Sequence, residues 1–122
     1  MQELIFVYNA DTGLVNGLLD LAHKVVSPAT YKCSLCALTY GARMRPEWKA
    51  FLNSLPVRAR FFHRDDFSAT YPQLAATNLP AVFRQATGKK PALFVSAAEL
   101  NQTDLPGLMH LLQQRLSAVT AP

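Results

Sequence analysis

Cys33 and Cys36 are the only cysteines in this 122-residue chain, and they lie in the run Tyr31-Lys32-Cys33-Ser34-Leu35-Cys36. At that spacing two sulfurs can close a disulfide or converge on one metal ion. Redox chemistry requires one of them as a thiolate near neutral pH, against an ordinary cysteine pKa of about 8.5. Lys32, Arg43 and the histidines are the sources of positive charge that would lower it. By analogy with other C-x-x-C proteins, Cys33 is the expected nucleophile and Cys36 the resolving thiol, so both are the catalytic candidates. The run Leu35-Cys36-Ala37-Leu38 pulls the other way, because apolar burial raises a thiol pKa. The plain alternative is a pair of unrelated buried side chains, since free cysteine is among the most buried residue types.

A metal site needs two further ligands, because structural zinc takes four donors in a tetrahedron. The histidines are His23, His63 and His110. His23 precedes the cysteines and His63 follows them, so His23, Cys33, Cys36 and His63 form the alternative zinc site. Their order matches no standard finger signature, and each histidine also has ordinary capping and packing uses. Disulfide chemistry by the cysteine pair requires no cofactor, so zinc belongs only to this alternative. No G-x-x-x-x-G-K-[ST] loop and no G-x-S-x-G elbow occurs. Asp65-Asp66 is expected to cap a short helix.

The whole chain is the size of one domain with one core. Its content of 50% hydrophobic and 16% charged residues excludes a disordered chain. No apolar run approaches the roughly 20 residues of a membrane span, and the first eight residues lack the basic start of a secretory signal. The expectation is a cytoplasmic protein of bacterial type with no membrane partner. Net charge is +4, and six of the twelve Lys and Arg fall within residues 43–64, opposed there only by Glu47. Such a cluster could attract phosphates or nucleic acid, but the plain reading is a solvated basic face, because no interleaved aromatic signature accompanies it. An anion- or partner-binding module using this 43–64 face is a third reading.

The elements that must position these residues are legible from periodicity. Residues 4–8 form a continuous apolar run, expected of a strand covered on both faces. Asp11 or Thr12 caps a predicted helix over 14–25, with Leu14, Leu18, Leu21, Ala22 and Val25 on one stripe, ended by Ser27-Pro28. Pro46 opens a helix with Trp48, Phe51, Leu52 and Leu55 on its stripe. Residues 57–62 alternate as a strand, and Trp48, Phe51, Phe61 and Phe62 are predicted core. A short helical segment over 65–74 precedes two strands at 81–84 and 91–95, joined by Thr87-Gly88-Lys89-Lys90 as a hairpin. Ser96 and Glu99 have capping-box spacing. Leu105, Leu108, Met109, Leu112 and Leu116 form the stripe of a last helix. The sum is an α/β protein with a mixed sheet and helices on both faces.

This order, with Leu79-Pro80-Ala81-Val82-Phe83, Gly88, Leu93-Phe94-Val95 and the last helix, resembles the thioredoxin fold. The resemblance implies a single domain over 1–122, a three-layer sandwich with a mixed four-stranded sheet, and an insertion over residues 27–56. It implies that Pro80 is a cis-proline beside the active site. It also implies a substrate-binding edge formed by Pro80 with Asp11 and Thr12, and a protein or small-thiol partner. The family carries its C-x-x-C directly after a core strand, whereas here Asp11-Thr12-Gly13-Leu14 holds that place. Cys33 and Cys36 come one helix later, so the implied oxidoreductase-like role requires the insertion to fold back toward Pro80. The stretches Tyr8-Asn9-Ala10-Asp11, Tyr31 to Gly41 and His63-Arg64-Asp65 also resemble a group of short uncharacterised bacterial proteins.

Overall fold

An unbroken apolar strand must be covered on two sides, and the first element of the structure is. Strand β1 is Glu3–Val7, with Leu4, Ile5, Phe6 and Val7 each 0% exposed. The computed structural model describes residues 2–9, 35 and 44–120. After β1 come α1 (Pro46–Ser54), β2 (Arg58–Phe62), α2 (Arg64–Thr70) and a single 3-10 turn (Pro72–Leu74). They are followed by β3 (Ala81–Gln85), β4 (Ala92–Val95), α3 (Ala97–Asn101) and α4 (Leu105–Thr120). The helix predicted at 14–25 lies outside the described residues. So does the cysteine stretch, except Leu35, which is helical and fully buried.

The strands form one mixed sheet in the order β2-β1-β3-β4. β1 runs parallel to β2 and antiparallel to β3, and β3 runs antiparallel to β4. Alternation then divides the core, because successive strand side chains point to opposite faces. Leu4, Phe6, Tyr8 and Val82 pack with Trp48 and Phe51 of α1 and with Leu105, Leu108, Leu112 and Leu116 of α4. Ile5, Val7, Ala81 and Phe83 pack with Phe67 of α2 on the other face. Helices therefore cover both faces, as expected.

Three expectations are corrected. Phe61 was predicted core and is 37% exposed, and β2 stands at the end of the strand order among the described residues. Asp65 and Asp66 do not cap α2; they occupy its first turn, where they favour the helix dipole, and the N-cap residue is His63. The predicted 65–74 segment is also two elements, since Tyr71 leaves the helical region just before Pro72.

The hairpin turns at Gly88, whose φ of 76° is a conformation that costs glycine little. β4 then carries a bulge: Val82 pairs with Val95 and Phe83 with Leu93, so Phe94 is the extra residue. A bulge leaves its extra residue unpaired in the ladder. Arg115 of α4 answers this by donating to the Phe94 carbonyl at 2.6 Å. The same guanidinium binds both carboxylate oxygens of Glu99. Glu99 closes the predicted capping box, accepting from the Ser96 N–H at 3.0 Å while Ser96 Oγ accepts from the Glu99 N–H at 3.3 Å.

These hydrogen bonds, Arg115 first and the Ser96 N–H second, hold the Glu99 carboxyl down at about 2. A depressed carboxyl pKa stabilises the fold above the unfolded value of about 4.3, and that contribution fades as pH falls toward the folded value. The pair is 35% and 37% exposed, so solvent screening holds the effect to about 1 kcal/mol. The stability difference between wild type and Glu99→Gln should therefore be constant from pH 8 to 5 and shrink between about pH 4 and 2. Urea denaturation of both proteins across that range measures it. A difference that stays constant down to pH 2 would contradict the assignment.

Candidate functional site

Chain directions decide which ends meet. Val7 pairs with Phe62 in parallel and with Ala81 antiparallel, and Val82 pairs with Val95. The C-terminal ends of β1, β2 and β4 and the start of β3 therefore share one edge of the sheet. Residues immediately beyond those ends must lie together: Asn9 after β1, His63 and Arg64 after β2, residues 77–80 before β3, and Ala97 and Ala98 after β4.

A cleft of about 550 Å³ opens at this edge, and its lining includes Asn9, Arg64, Thr77, Asn78, Leu79 and Asn101. That volume lies in the range of small-ligand sites. Arg64 is the first residue of α2, and its Nη1 lies 3.4 Å from Asn9 Oδ1. Three amides, one hydroxyl and one guanidinium face the space, and no carboxylate is among its described lining residues. The cleft thus offers donors to a polar, peptide-like or negatively charged group.

Pro80 is buried, follows a cis Leu79–Pro80 bond and lies beside the end of β1. His63 sits at the same edge with its side chain 46% exposed, and its Nδ1 lies 3.9 Å from Asp66 Oδ2. Its ring is 5.8 Å from that of Tyr8. Asp11, Thr12, His23, Cys33 and Cys36 lie outside the described residues. Of the four zinc ligands considered, the described structure places only His63, and no group of three His, Cys, Asp or Glu among the described residues is arranged to hold a metal ion. His110 is exposed on α4.

Thr77, Asn78 and Asn101 were not singled out from sequence. They sit outside any periodic stripe, and only the antiparallel return of β3 and β4 brings them to Asn9. Their one local signal is a polar Thr77-Asn78 pair directly before Leu79-Pro80. No helix among the described residues is long and apolar enough to cross a membrane. Comparison with protein-family models, with curated proteins and with solved structures finds no match for the chain.

Proposed function

We propose that this chain is a thioredoxin-like domain whose Cys33 and Cys36 exchange electrons with a protein or small-thiol partner at the cleft beside Pro80. The observation that carries the reading is the sheet itself. Its four described strands, with one parallel and two antiparallel pairings, make the kind of mixed four-stranded sheet that the sequence resemblance implies. The cleft supports it, because it opens at the strand ends next to Pro80 and carries the Arg64 guanidinium with no described acid in its lining. A cation at that place favours a nearby thiolate over a thiol.

In this reading the Cys33 thiolate attacks one sulfur of the partner disulfide. The S–S bond breaks, a mixed disulfide forms and one partner thiolate leaves. The Cys36 thiolate then attacks Cys33 Sγ, releasing the second partner thiolate. The partner gains two electrons and two protons, and the chain ends as the Cys33–Cys36 disulfide.

The test is thiol titration of freshly purified, folded protein, combined with metal analysis. Reduced protein should titrate two thiols per chain, and a mild oxidant should remove both with no change in molecular size. Cys33→Ser should abolish catalysed reduction of a small aromatic disulfide, and Cys36→Ser should trap the mixed disulfide. Thiols inert to the oxidant in folded protein would sink the redox reading. Zinc co-purifying at about one per chain, with Zn–S near 2.3 Å, would replace it with the His23, Cys33, Cys36 and His63 site.

A further inference from the structure

We propose that the groove between α1 and β2 is a docking site for an acidic segment of a partner protein that carries a large apolar side chain. The groove lies away from the cleft at the strand ends and uses different residues. It measures about 440 Å³, and Lys49 and Leu52 of α1, Leu55 and Val57 of the connection, and Ala59 and Phe61 of β2 line it. That volume accommodates one or two large side chains and falls within the range of recognition pockets.

The apolar half of the proposal rests on Phe61. Its ring stacks on Phe6 at 5.2 Å and on Tyr8 at 6.1 Å, yet it is 37% exposed. Among the described residues only Leu93, on the opposite edge strand, is a comparably exposed large hydrophobic side chain. The two differ in surroundings. Phe61 belongs to a groove with five apolar neighbours, Met44, Leu52, Leu55, Val57 and Ala59, which is the geometry that buries an incoming side chain.

The acidic half rests on charge. Within residues 44–64 the cations are Arg45, Lys49, Arg58, Arg60 and Arg64, and Glu47 is the one acid. Arg60 is committed to Glu3 at 3.2 Å and to the Phe62 ring at 5.0 Å. Lys49 and Arg58 are exposed, and their side chains make no ion pair among the described residues. Lys49 lines the groove itself, and Arg58 lies at the start of the same edge strand. No carboxylate is among the described lining residues. The field at this groove therefore selects for carboxylates and against a second cationic chain.

The probe is a fluorescently labelled, capped peptide of sequence Glu-Phe-Glu-Phe-Glu, titrated with the full chain and followed by anisotropy. Binding should be saturable, weaken as salt rises, and fall about tenfold in Lys49→Glu. Replacing both Phe by Ser, or all Glu by Lys, should weaken the peptide by at least about tenfold. Lys49→Glu is an exposed helix substitution, so an unchanged melting curve separates lost binding from lost folding; Phe61→Ser provides the apolar counterpart. Absence of saturable binding, equal affinity for the Ser peptide, or insensitivity to Lys49→Glu would each overturn the proposal. Concentration-dependent dimers removed by Phe61→Ser would also overturn it, by making a second copy the occupant.

Discussion

Replacing Trp48 by alanine is expected to destabilise the protein by about 3–5 kcal/mol, the largest effect of any single substitution considered. Trp48 is the only tryptophan and is 0% exposed. Its ring meets Phe6 edge-on at 5.5 Å and lies 5.7 Å from Phe51, joining α1 to the central strand. Truncation removes those contacts and leaves a cavity that α1 cannot fill while still anchored to the sheet. Since domains of this kind have about 5–15 kcal/mol in total, the variant should be partly unfolded at ordinary temperature or melt far earlier. Trp48→Phe should cost much less. It keeps an aromatic ring against Phe6 and removes a buried Nε1–H that makes no hydrogen bond to the described protein. Urea denaturation of the two variants, followed by far-UV circular dichroism, measures the difference. Equal losses in both would show that volume is not what Trp48 contributes.

Arg115→Ala should cost about 2 kcal/mol, even though its partners are partly exposed. One side chain serves three groups: both Glu99 oxygens and the Phe94 carbonyl at the bulge. Its loss leaves a carboxylate without its counter-ion and a strand carbonyl without its donor. Glu99→Gln should cost less, because glutamine still completes a capping box with Ser96. The double variant should lose less than the sum of the two single changes, since each removes part of the same interaction. Chemical denaturation of the four proteins closes this cycle. Strict additivity would mean that Arg115 acts through Phe94 alone.

Much of this arrangement can be read from local pattern. Residues 4–8 contain no polar side chain except the Tyr8 hydroxyl, and only a strand between two layers buries such a run. The stripe Leu105, Leu108, Met109, Leu112 and Leu116 closes at helical spacing, with its four leucines buried and Met109 half-buried against the same core. Ser96 and Glu99 announce the start of α3 three residues ahead of their contact. The candidate site was far less legible. Asn9, the Thr77-Asn78 pair and Asn101 belong to three different connections or ends, and no local rule ties these three places together. Arg64 was visible as part of a charge cluster and of the His63-Arg64-Asp65 stretch, with no indication that it alone of that cluster would line the cleft at the strand ends.

The amino-acid sequence by itself marked most of the described strands and helices, because periodicity, caps and prolines act over three or four residues, although it ran α2 and the following 3-10 turn together. Strand neighbours are a different matter. The order β2-β1-β3-β4 pairs β1 on both of its hydrogen-bonding edges and leaves β2 and β4 as edges of the described sheet. Phe61 on β2 is exposed although its alternation with Arg60 and Phe62 reads as core. The packed fold also brings Arg115 to a glutamate 16 residues earlier, and Asn9 to the loop before Pro80. Local pattern sets which face of each element is apolar, whereas only the packed sheet decides which elements stand side by side and which edge is left open.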